Sequence, residues 1–125
     1  MPLSLVHPMD KNSKNIIDSL LKFRSERDWE QFHRPKDLAI SIVLEAAELL
    51  EEFQWKTDEE VKKYLAGDGL NAVREEIADI AIYLLLMSND LGIDPVAAIK
   101  DKIRKNEAKY PVSKAKGSSK KYDKL

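Results

Sequence analysis

SIVLEAAELLEEF, residues 41–53, is the stretch whose reading decides the fold. Glu45 and Glu48 break the apolar run from Ile42 to Leu50 at a spacing of three. REEIADIAIYLLLM, residues 74–87, repeats the arrangement with Glu76 and Asp79. On a helix of roughly 3.6 residues per turn, an i, i+3 pair lies about 60° apart on one face. Carboxylates set among apolar side chains cost solvation free energy unless they pair with a cationic side chain or bind a metal ion. If these two helices face each other, four acids converge and repulsion raises their pKa values. A hard divalent ion relieves that repulsion. Oxygen-only ligands favour Mg²⁺, with Mn²⁺ as a substitute, over zinc.

Helical periodicity extends outward from these two segments. A first helix is expected from near Asp10 or Asn12 through IIDSLLKFRSERDW, after an irregular arm over residues 1–10. Pro35 suits the first turn of a second helix, about 36–54. That helix is apolar on more than one face, through Leu38, Ile40, Ile42, Val43, Leu44, Leu49, Leu50 and Phe53. Thr57 with Glu60 is a capping-box pattern for a short third helix ending near Gly67. A fourth helix fits about 70–90 with Gly92 as its stop, and Asp94-Pro95 opens a fifth reaching about Lys109. No period-two alternation occurs, so the expected fold is all-α. The second and fourth helices carry more apolar surface than so short a chain can cover. A homodimer or larger homo-oligomer completing a four-helix core is therefore expected.

The 125 residues suit one domain, and 43% hydrophobic with 34% charged residues suits a helical one. Absence of cysteine excludes disulfides and thiolate zinc sites and fits a reducing, cytoplasmic location. No signal-peptide pattern is found. The longest apolar run, 77–87, contains Asp79 and falls short of the ~20 residues a membrane span needs, so no membrane partner is expected. Residues 112–125 carry five lysines and one aspartate. They read as a disordered, solvating tail behind a domain over 1–111. With no arginine and one aromatic residue, this tail gives no reason to expect a nucleic-acid partner.

Acids spaced i, i+3 usually form a solvated face, and Glu51, Glu59, Glu60 and Glu75 read that way. Glu52, seven residues beyond Glu45, is either an outer ligand or general base, or an exposed charge. Tyr83 lies four residues beyond Asp79, and Trp55 seven beyond Glu48. Trp29 precedes the second helix. Aromatics at such spacings are mostly core, yet beside an acidic site they suit a stacked nucleobase. Lys102, Asn106, Lys109 and Tyr110 form a cationic and amide stripe suited to phosphate oxygens. His33, one of two histidines, reads as a loop hydrogen-bonding group, and two histidines cannot build a histidine-rich metal site.

EAAE (45–48), then 27 residues, then EIAD (76–79) resembles the Glu-x-x-Glu … Glu-x-x-Asp pattern of the MazG-like nucleotide pyrophosphohydrolases. Four blocks resemble the dCTP pyrophosphatase branch: RDWEQFH (27–33), LLEEFQW (49–55), DIAIY (79–83) and KIRKNEAKYP (102–111). The resemblance covers about 16–111. It implies an all-α, MazG-like helical bundle, assembled as dimers or tetramers, that uses Mg²⁺ to cleave a nucleoside triphosphate, dCTP first, to monophosphate and pyrophosphate. Glu45, Glu48, Glu76 and Asp79 match metal-ligand positions. Trp29, Trp55 and Tyr83, with His33 in the block of Trp29, match the surroundings of the base. Lys102, Asn106 and Tyr110 match the phosphate side. The general base would come from Glu45, Glu48 or Glu52. Leu44 stands where some members carry a second glutamate, and Leu20 where the dCTP branch carries a histidine. The same reaction on dUTP, phosphoribosyl-ATP or damaged nucleotides is the nearest alternative. A non-enzymatic helical oligomerisation module is the alternative of another class.

Overall fold

In the computed structural model, which describes residues 11–125, six helices follow one another and no strand occurs among the described residues. They are α1 (Lys11–Glu26), α2 (Pro35–Glu51), α3 (Asp58–Leu65), α4 (Gly69–Asp90), α5 (Pro95–Lys109) and α6 (Val112–Ala115). Short 3₁₀ turns lie at Glu30–Phe32 and Tyr122–Lys124. The expected arm over 1–10 lies outside the described residues.

Local chemistry explains most boundaries. Pro35 opens α2, where its missing N–H removes a donor that would have had no partner in the helix. Thr57 and Glu60 form both halves of the capping box at α3. At α5 the Asp94 carboxylate accepts from the backbone N–H groups of Val96 and Ala97, at 3.0 and 3.2 Å. α4 stops at Asp90, two residues before Gly92, which takes φ 68°.

Two helices end earlier than their periodicity suggests, and the turn after each contains a non-glycine residue with positive φ. α1 closes in a Schellman cap. Asp28 sits at φ 53°, its N–H donates to the Ser25 carbonyl, and the Trp29 N–H donates to the Arg24 carbonyl. The apolar contact that accompanies such caps is Trp29 against Phe23, edge to face at 5.7 Å. α2 ends at Glu51, and the chain turns through Trp55 at φ 67°.

Among the described residues the chain forms two compact units, one up to Gly92 and one from Ile93 onward. The sequence instead put its one boundary at Pro111. In the first unit α2 packs mainly on α4, with α1 and α3 also against α4. Its buried apolar residues are few: Ile17, Leu38, Val73 and Leu86. In the second unit, residues 112–125, expected to lack structure, carry α6 and a 3₁₀ turn. There Tyr122 lies edge to face with Tyr110 at 6.2 Å. No single helix among the described residues is long and apolar enough to cross a membrane.

Candidate active site

Pairing of α2 with α4 brings the two acid stripes together. Glu45, Glu76 and Asp79 each offer a carboxylate oxygen, and the three oxygens lie within 4.8 Å of one another. Glu48, one turn after Glu45, is more exposed and stands outside that trio. Its carboxyl group nevertheless lies near enough to both Glu45 and Glu76 to raise their pKa values.

The electrostatic consequence is clear. Burial first, then the Glu48 hydrogen bond and the charges of Glu48, Asp79 and Glu76, push the Glu45 carboxyl up to about 7. Glu76 is raised too, by burial, then by its hydrogen bond to Glu48 and the charges of Glu48, Asp79 and Glu52. Oε2 of Glu45 and Oε2 of Glu76 are buried and lack a hydrogen-bond donor. Buried acceptors without donors are costly, and a cation satisfies several at once. The donor set is oxygen only, which fits a hard divalent ion.

Glu52 is not an unattached surface charge. Its Oε2 accepts from the Tyr64 hydroxyl, and its backbone carbonyl accepts from Lys56 Nζ at 2.8 Å. Tyr64 lies on α3, and the bond to Glu52 is the main cause that raises its phenol pKa. Sequence reading missed Tyr64. Only the amphipathic pattern of a short helix pointed to it, and that pattern marks core as readily as function.

The expected base-side residues do not form one closed group. His33 lies edge to face with Tyr83 at 6.2 Å. Burial, then the nearby Arg24 charge, lower the His33 pKa, opposed by Asp90. His33 Nδ1 is buried without a partner. Trp29 is engaged by Phe23, whereas Trp55 is 91% exposed. Lys102, Asn106 and Lys109 lie on α5 in the second unit, with Tyr110 as its C-cap. There Lys109 Nζ sits 4.9 Å above the Tyr122 ring. Arg24 and Tyr122, which organise these residues, were not anticipated either.

The MazG-like family matches residues 40–125 and so includes the C-terminal segment. The chain is 40% identical over 105 residues to human dCTP pyrophosphatase 1 and 41% to the Bos taurus protein of the same name. Each match covers 83% of this chain and 62% of the longer relative. A crystal structure of a pyrophosphatase from Archaeoglobus fulgidus is similar at a TM-score of 0.77 and 43% identity. That match covers 85% of this chain and 98% of the other.

Proposed function

We infer the activity from one premise: this chain belongs to the MazG-like family. The reading it supports is a divalent-metal-dependent pyrophosphohydrolase acting on a nucleoside triphosphate, with dCTP and its modified forms as first substrates. dCTP plus water gives dCMP plus pyrophosphate. The observation that carries the reading is the convergence of Glu45, Glu76 and Asp79 around two buried oxygens that have no donor. The choice of dCTP follows from the names of the relatives.

Glu45, Glu76 and Asp79, with Glu48 bridging at their edge, would hold the ion, and Mg²⁺ is the ion proposed. When bound, such an ion supplies Lewis-acid polarisation and lowers the pKa of coordinated water. Glu52 is assigned as the general base, because its charge is felt at Glu76 while Tyr64 holds it outside the trio. The water oxygen attacks the α-phosphorus as a proton passes to Glu52. The bond from that phosphorus to the bridging oxygen breaks, and pyrophosphate leaves with the electron pair. His33, Tyr83, Trp29 and Trp55 are assigned to the base. Lys102, Asn106, Lys109 and Tyr110 are assigned to the phosphate oxygens.

A homo-oligomer belongs to the same proposal. Ile40, Val43, Leu44 and Leu50 on α2 and Leu70, Ile77 and Leu84 on α4 are all exposed in the single chain. Such apolar faces suit contact between copies. Pyrophosphate release from each deoxynucleoside triphosphate, with and without Mg²⁺, tests the activity. Glu48→Gln and Asp79→Asn should each abolish it. Equal rates on all nucleotides would remove the dCTP assignment, and no Mg²⁺-dependent release would remove the enzyme.

A further inference from the structure

Tyr64 sits in a seat built for its ring. A Cβ on Gly69, the first residue of α4, would lie 2.4–2.5 Å from Cγ, Cδ2 and Cε2 of Tyr64, closer than real Cβ atoms come. Glycine is a poorer helix residue than alanine, and here its missing side chain makes room for the ring. Lys56 Nζ lies 4.5 Å from the ring centroid, and the same ammonium donates to the Glu52 carbonyl at 2.8 Å. The Thr57–Glu60 capping box secures the start of α3, an eight-residue helix too short to persist without such ties. With ring and helix fixed, the hydroxyl has one side-chain partner, Glu52 Oε2.

A glutamate at the end of a helix otherwise samples several rotamers, and ordering it costs conformational entropy. Here one carboxylate oxygen is held by a neutral donor and Oε1 is left to accept another proton. The carboxylate keeps its charge close enough to affect Glu76. We propose that Tyr64 is a positioning residue for hydrolysis: its hydroxyl, seated against Gly69, orients the Glu52 carboxylate beside the acidic trio to take the proton of the attacking water. This rests on the pyrophosphohydrolase reading above. It adds a residue on α3 that is not itself one of the acids.

The test uses the full chain and four variants: Tyr64→Phe, Gly69→Ala, Glu52→Gln and the double variant Tyr64→Phe/Glu52→Gln. A hydrogen bond to a charged group is worth about a ten-fold effect or more, so Tyr64→Phe should lower kcat about ten-fold with KM within about two-fold. Gly69→Ala, which pushes on the ring, should do the same. In the Glu52→Gln background, Tyr64→Phe should change kcat less than about two-fold, because the two groups act as one. Calorimetric titration with Mg²⁺ alone should give the same affinity for wild type and Tyr64→Phe. An unchanged kcat in Tyr64→Phe overturns the proposal. So does an equal factor lost in both backgrounds, which marks a general structural role. A fall in Mg²⁺ affinity parallel to kcat overturns it as well, because Tyr64 would then support the trio and not Glu52. A wild-type chain that releases no pyrophosphate instead removes the activity reading, and this inference with it.

Discussion

Arg24 on α1 and Asp90 at the end of α4 form a two-pronged ion pair, Nη1 to Oδ2 and Nη2 to Oδ1, both at 2.8 Å. Arg24 is 3% exposed, its Nε has no partner, and its Nη2 also reaches Glu30 at 3.5 Å. The Arg24 backbone carbonyl closes the cap that sets Trp29. One residue thus ties the turn carrying Trp29 and His33 to the end of α4.

Asp90→Asn leaves a buried guanidinium without its counter-charge. The expected cost is about 2 kcal/mol, below the roughly 3–5 of a fully buried pair, because the Asp90 side chain is 24% exposed. Arg24→Met, which fills the space without a charge, should cost less. Chemical denaturation of the two variants checks the order, and the reverse order would show that the pair is not what holds the turn.

Trp55 carries an exposed ring on a left-handed backbone, at φ 67°. Trp55→Gly relieves roughly 1 kcal/mol of backbone strain and removes no packing within the chain. Stability should hold or rise. Loss of a stacking surface should raise KM for dCTP about ten-fold. Thermal melts and steady-state kinetics measure both. A marked loss of stability would mean instead that another copy of the chain covers this ring.

How far the sequence could be read depended on the distance between cause and effect. The capping box at Thr57 and the Asp94-Pro95 start were legible because donor and acceptor lie within four residues. The acid stripes were legible because i, i+3 spacing fixes their face once a helix is assumed. The early ends of α1 and α2 were not, because Asp28 and Trp55 hold conformations usually left to glycine. Arg24 and Asp90 are 66 residues apart, and Tyr64 and Glu52 are 12 apart, so neither pair leaves a local pattern. The C-terminal segment misled because lysine, serine and glycine composition hides Tyr122, the residue that anchors it.

Gly117, at φ 77°, reverses the chain after α6, and Tyr122 then meets Tyr110 and Lys109. Ending the chain at Lys116 removes that ring. Edge-to-face and cation–π contacts are each worth about 0.5–1 kcal/mol, so KM for the triphosphate should rise about three-fold with kcat unchanged. Steady-state kinetics of the shortened chain decide it. An unchanged KM would leave the segment no part in holding Lys109 and Tyr110.

Opposed carboxyl shifts give the metal-free protein a stability maximum on the acid side. Glu45 is pushed from its ordinary 4.5 to about 7, so its stabilising contribution is full below pH 4.5 and fades as pH rises through 7. Glu76, also raised, acts in the same direction. Asp90, held low mainly by its bond to Arg24, acts the other way. Its contribution is present above its ordinary 3.8 and is lost as pH falls through the depressed value. Without metal, the melting temperature should therefore peak near about pH 5 and decline toward pH 8. A divalent ion binds the ionised carboxylates and must displace the proton that Glu45 holds. Binding near pH 6 should thus release about one proton per ion, and the gain in melting temperature with saturating Mg²⁺ should be larger at pH 8 than at pH 5. Melting curves across pH with and without a chelator test the first part. Calorimetry in two buffers of different ionisation heat tests the second. A metal-free melting temperature that climbs steadily from pH 5 to 8, or binding without proton release, would mean that Glu45 is already ionised and that the trio does not meet at one point.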